Sequence, residues 1–135
     1  MRVLALDYGE ARCGVAVSDP SGTLATPLEV VERPSTRRGL ASLVALARER
    51  EAERVVVGLP LTMAGTEGPQ AAHTRAFAER LAEATGMRVD LHDERLTTRQ
   101  AAAAPGRSAE DSRAAAHLLD VYLRKLSLRS RTDGR

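Results

Sequence analysis

The sequence predicts an α/β sandwich in which one mixed sheet of five strands is covered by helices on both faces. Three observations carry this. Val3 to Leu6 and Val55 to Val57 are continuous apolar runs, as expected of strands buried on both faces. Amphipathic helical stretches lie on either side of the second run, and Gly and Pro fall where one kind of element gives way to the next.

Met1 to Leu6 and Cys13 to Ser18 read as two strands around a turn at Tyr8-Gly9-Glu10. Thr23 to Val31 reads as a third after Pro20-Ser21-Gly22, and these first three strands are antiparallel. Ser35 to Arg50 places Leu40, Leu43, Val44 and Ala47 at helical spacing, with Ser35 or Thr36 as N-cap. Arg54 to Gly58 is the fourth strand and Pro60 to Gly68 a loop. Pro69 suits a helix's first turn and Gly86 its end; Met87 to His92 is the fifth strand. Thr97 to Ala104 is a helix broken by Pro105-Gly106. From Ser108 to about Leu126 a last helix carries Ala115, Leu118, Leu119, Tyr122 and Leu126 on one stripe. Residues 1–126 are expected to form a single domain and residues 127–135 a basic, flexible tail.

A chain of 135 residues fits one domain that buries roughly two thirds of its unfolded surface. With 43% hydrophobic and 28% charged residues it has a globular composition, and no apolar stretch approaches the ~18 residues of a membrane span. The start, Met1-Arg2-Val3, has no signal-peptide apolar region, and the single Cys13 allows no internal disulfide, so a cytoplasmic protein is expected. The net charge of +2 is uneven: from Arg124 onward the chain carries +4 and the remainder −2. Such a tail suits a polyanion, or solubility alone. Aromatics are 2% (Tyr8, Phe77, Tyr122), so any nucleic acid would be read through backbone and shape rather than base stacking.

Open α/β sheets place their sites at the carboxyl ends of strands. That selects Asp7, the loop after Val57, and Asp93-Glu94-Arg95. Asp111 adds a fourth place, because it precedes Ala115 by four residues and Leu118 by seven and so falls on the apolar face of its helix. Each acid has a plain structural reading: Asp7 as a turn residue, Glu94 paired with Arg95 or Arg99, Asp111 in a capping box with Ser108. Together they point elsewhere. Acids gathered at one strand-end region repel one another, and divalent cations relieve the repulsion. Carboxylates suit magnesium or manganese; the separated His73, His92 and His117 do not suit zinc.

Four blocks then resemble one family. They are Asp7-Tyr8-Gly9 with Arg12 and Gly14-Val15-Ala16-Val17-Ser18-Asp19; Val57-Gly58-Leu59-Pro60-Leu61 with Gly65-Thr66-Glu67-Gly68; Asp93-Glu94-Arg95-Leu96-Thr97-Thr98; and Asp111 with Ala114-Ala115, Leu118-Leu119 and Tyr122-Leu123. In this order they resemble the YqgF family, also called RuvX, the Holliday-junction-resolvase-like family. The resemblance covers Val3 to Leu123.

It implies an RNase H-like three-layer fold and a divalent-metal nuclease in which Asp7, Glu94 and Asp111 hold two magnesium or manganese ions, Asp7 bridging them. It further implies processing of the 5′ end of pre-16S ribosomal RNA, with junction or other branched or single-stranded DNA as the alternative substrate. Arg12 and Arg95 are candidate phosphate contacts, Arg95 equally a support for Asp93 or Glu94. In the loop from Leu59 to Gly68, Gly65 and Gly68 leave N–H groups uncovered and Thr62 and Thr66 add hydroxyls, an arrangement that suits a phosphate and is also ordinary turn composition.

Two departures stand out. Ala11 occupies a place where the family commonly has a basic residue, and the segment between Thr98 and Asp111 is shorter and less basic than in relatives. The Arg-rich tail is the expected substitute. A noncatalytic RNA-binding assembly factor is the second reading, while an actin-like ATPase needs two domains and is disfavoured by length. Either a monomer or a homodimer is compatible with the sequence.

Overall fold

The computed structural model describes residues 1–62, 64–93 and 108–133. Strand β1, Val3–Tyr8, is the middle of the sheet and is buried along its length except at the half-buried Asp7. It pairs antiparallel with β2, Arg12–Ser18, and parallel with β5, Arg54–Leu59, which pairs parallel with β6, Arg88–Asp93. The sheet is mixed, as the sequence predicts, and β1 and β5 lie between β2 and β6.

The third strand differs from expectation. The predicted run Thr23 to Val31 forms two short pieces, β3 (Ala25–Pro27) and β4 (Val31–Glu32), both antiparallel to β2. Pro27 has no N–H for a ladder, which restricts it to an edge, and Leu28 N then donates to Val15 O at 2.8 Å where the chain bends. Upstream, Asp19 Oδ1 accepts from Thr23 N and Leu24 N, so these residues belong to the turn and not to a strand.

Helix α1, Arg37–Glu49, is capped by Thr36, whose Oγ1 accepts from Gly39 N at 3.1 Å. Helix α2, Pro69–Thr85, starts with Pro in its first turn and ends at Gly86 in the left-handed region, φ 72°, with Gly86 N donating to Ala82 O. Both cover one face of the sheet. Leu4, Leu6, Tyr8, Val15, Val55 and Val57 meet Leu43 and Ala47 of α1 and Phe77 and Leu81 of α2 there. Tyr8 and Phe77 stack with centroids 4.4 Å apart.

The opposite face belongs to the closing helix α3, Ser108–Asp133. Val3, Ala5, Ala16 and Val56 pack against its Ala115, Leu118, Leu119 and Tyr122. Burying each such Leu or Val contributes roughly 1.5–3 kcal/mol. The helix runs seven residues past the Leu126 boundary expected from the apolar stripe, because nothing from Ser127 to Asp133 breaks it and the next glycine is Gly134. The predicted helix Thr97 to Ala104 lies outside the described residues. Among the described residues, no helix is long and apolar enough to cross a membrane.

Beneath α3, Tyr122 OH donates to Asp90 Oδ2 at 2.6 Å and accepts from Arg54 Nη1 at 3.1 Å, while Arg88 Nε donates to Asp90 Oδ1 at 2.9 Å. Burial raises the Asp90 carboxyl, but the Tyr122 and Arg88 bonds outweigh it and hold the group below its ordinary value. This network fixes α3 to β5 and β6 at the sheet end opposite the carboxylates described next.

Candidate functional site

Side-chain alternation along β1 decides where Asp7 points. Leu4, Leu6 and Tyr8 face α1 and α2, whereas Val3 and Ala5 face α3. Asp7 therefore shares the α3 face. It lies inside the strand, directly opposite Gly14 of β2, and is not a turn residue.

Gly14 brings the second acid. A Cβ on Gly14 would lie 1.9 Å from Asp111 O and 2.3 Å from Asp111 C, so only glycine lets the first turn of α3 rest on β2 at this point. Ser112, almost fully buried, locks the approach from α3, its Oγ donating to Leu28 O at 2.6 Å across the bend between β3 and β4. Asp111 is thus held over the residue that faces Asp7. The sequence reading did not single out Gly14 or Ser112 for this role. An isolated glycine in an otherwise apolar strand was the available signal.

The Asp111 carboxylate is turned to the sheet. Its Oδ2 lies 3.1 Å from Arg12 Nε, yet the N–H is not aimed along that line, and the oxygen is buried without a hydrogen bond among the described residues. The contact is a charge pair only. A buried carboxylate oxygen with an unused acceptor position is costly, and it is the kind of donor that a hard cation takes. Two of the three predicted acids, Asp7 and Asp111, are therefore brought to one place, and their chemistry fits magnesium or manganese. Glu94 and Arg95 lie outside the described residues, and among the described residues no three His, Cys, Asp or Glu side chains are grouped to hold a metal.

The strand register places the other predicted residues. Leu6 pairs with Val57, and Gly58 and Leu59 pair with His92 and Asp93, so the loop after β5 leaves the sheet at the end where Asp7 stands. His92 is buried near Tyr122, ring centroids 6.1 Å apart; burial first, then the Lys125 charge, hold its imidazole below the ordinary value against the pull of Asp93.

In the loop itself, Gly65 N donates to Thr62 O, Thr62 N to Thr66 O, and Thr66 N to Thr62 Oγ1. These three bonds close the loop on itself, so the Gly65 N–H, expected to be uncovered, is used within the loop. The hydroxyls of Thr62 and Thr66 are exposed, 2.6 Å apart. Asp19, last in the glycine-containing string of β2, sits at the far end of that strand as a turn residue.

A meander that opens into parallel strands, with acids at shared strand ends under a closing helix, defines the RNase H-like fold. Solved structures agree. Thermus thermophilus RuvC superposes with a TM-score of 0.58 at 18% identity, covering 94% of this chain and 97% of that one. The fowlpox virus Holliday junction resolvase does so at 0.56 and 14%, covering 93% and 99%.

At the level of family, RuvX, described as Holliday junction resolvase, matches residues 1–125. A relative from Anaeromyxobacter sp. (strain Fw109-5), provisionally named a pre-16S rRNA nuclease, is 52% identical over 101 residues, 75% of this chain and 74% of its own. Another of that name from Syntrophomonas wolfei is 40% identical over 132 residues, 91% of this chain and 94% of its own. The chain belongs to the RuvX, or YqgF, family.

Proposed function

We propose that the protein is a divalent-metal-dependent nuclease that hydrolyses phosphodiester bonds, with pre-16S ribosomal RNA as substrate. The observation that carries this is the placement of Asp111 beside Asp7 through Gly14, with Asp111 Oδ2 buried and unbonded. The names of the relatives supply the substrate.

Asp7, Glu94 and Asp111 are the ligands in this reading. These side chains would hold magnesium or manganese, which would supply an activated water and charge to steady the leaving oxygen. Arg12, paired with Asp111, meets a phosphate oxygen in this reading. The hydroxyls of Thr62 and Thr66 are further donors to the backbone, and Arg95 supports the acids of its own segment.

The fold favours a second reading, cleavage of branched DNA, since T. thermophilus RuvC has been solved on a Holliday junction substrate. One experiment addresses both. Matched single-stranded RNA, duplex DNA and four-way junctions are incubated with magnesium or manganese, with Asp7→Asn and Asp111→Asn alongside. Metal-dependent cleavage of RNA, reduced about 10²-fold or more in each variant, is expected. Cleavage confined to the junction selects the second reading, and equal activity in wild type and variants removes both.

A further inference from the structure

On the sheet face away from α3, a cavity of about 610 Å³ opens beside the β1–β2 turn, lined in part by the stacked Tyr8 and Phe77 rings. Among the described residues, Arg33, Arg80 and His73 border it together with one acid, Glu10. His73 Nδ1 lies 3.2 Å from Glu10 Oε1, and the two arginines outnumber that one carboxylate among the described residues lining the cavity.

Both arginines are held in place. Arg80 Nη1 donates to Ser35 O at 2.8 Å, fixing the guanidinium beside the start of α1. Arg33 has its N–H on Ala11 O and its carbonyl on Thr36 N and Thr36 Oγ1. Gly39 packs so closely that a Cβ there would lie 2.1 Å from Arg33 O, and Arg33 is kept at φ 44°. That conformation is unfavourable for a non-glycine residue, yet an arginine with no ion pair among the described residues stands there. Beyond it, α1 begins with Arg37 and Arg38 and no acid in its first turn, the reverse of what the helix dipole favours. Arg37 and Arg80 also border one adjoining groove between α1 and α2.

The cavity touches the candidate site through two consecutive residues. Ala11 lines the cavity and accepts from Arg33, while Arg12 meets Asp111 on the other face. We infer that this cavity binds the phosphodiester backbone of the polynucleotide beyond the reacting bond, with Arg33, Arg37 and Arg80 as phosphate contacts. The inference rests on the nuclease reading for the identity of the anion. It also supplies basic surface in a chain whose segment before Asp111 has little.

Binding is measured on the full chain by fluorescence anisotropy with a single-stranded RNA oligonucleotide in EDTA, so that cleavage does not intervene. The variants are Arg33→Gln/Arg37→Gln/Arg80→Gln and, avoiding the strained position, Arg37→Gln/Arg80→Gln; Arg50→Gln, at the C-terminal cap of α1 and outside both the cavity and the adjoining groove, is the control. Affinity is expected to fall about tenfold or more in the triple variant, with a salt slope shallower by about 0.7 for each phosphate that is no longer neutralised. The control keeps wild-type affinity, and thermal melts of the double variant stay near wild type. Equal RNA affinity and salt slope in wild type and both variants overturn the inference. So does tight binding of inorganic phosphate that the variants lose while RNA binding persists, which makes the cavity a free-phosphate pocket. Wild-type protein that binds RNA through these arginines but never cleaves it with manganese instead refutes the nuclease reading and supports the cavity.

Discussion

Arg12 Nε stands 3.1 Å from Asp111 Oδ2 without donating a hydrogen bond to it. Both side chains are about one-third exposed, so the pair contributes on the order of 1 kcal/mol or less after solvent screening. Its consequence is larger for a metal than for the fold. Arg12→Ala is expected to lower the melting temperature slightly in EDTA, and manganese to raise it more in the variant than in wild type, because the cation no longer competes with a guanidinium. Equal manganese-induced shifts, read by scanning calorimetry, would refute this.

Gly14→Ala tests how α3 is seated. The added methyl meets backbone atoms of Asp111 and Ser112, which cannot rotate away. A loss of about 3 kcal/mol, or roughly 10 °C in melting temperature, is expected. Manganese binding by the folded variant should weaken as well, since Asp111 must move off β2. A variant with wild-type melting and metal affinity would show that α3 rests elsewhere.

Tyr122→Phe removes the hydroxyl shared by Asp90 and Arg54 while Arg88 stays on Asp90. A loss of about 1–2 kcal/mol in denaturant unfolding is expected, the cost of leaving a partly buried carboxylate oxygen short of a donor. RNA cleavage at saturating substrate should be retained, because this network lies at the opposite end of the sheet.

Acid sensitivity follows from two carboxylates. Asp19 is brought down to about 2, by the Ser21 hydroxyl first and then by the Leu24 and Thr23 N–H groups. Asp90 is also lowered. A carboxyl that holds its proton less tightly when folded stabilises the native state above its unfolded value, about 3.9, and loses that contribution as pH falls through the folded value. Stability should thus decline from about pH 4 toward pH 2. Asp19→Asn should flatten the decline in urea titrations at stepped pH; an unchanged slope would count against the turn.

Much of this was legible in the chain. The β5 run, the Pro69 start and Gly86 end of α2, and the placement of Asp111 on the apolar stripe all follow from local pattern, and local pattern is what these elements obey. The third strand breaks after Pro27, which cannot donate to a ladder, within a run whose other residues read as strand. Gly14 and Ser112 were not legible as site builders. Their role depends on residues some hundred positions apart in sequence meeting backbone to backbone, which no periodicity records. The closure of the Thr62–Thr66 loop was hidden likewise, because composition names donors without saying whether they are already used.

Strand β1 ends with Asp7 turned to one layer and Tyr8 to the other. Their parity ties two surfaces to a single reading frame of the backbone. Deleting one residue within Val3 to Leu6 would exchange the two, sending a carboxylate among the rings of the α2 side and a phenol beneath α3. The candidate site and the cavity behind it would fail together, so along this strand the protein can tolerate substitution far better than a change of length.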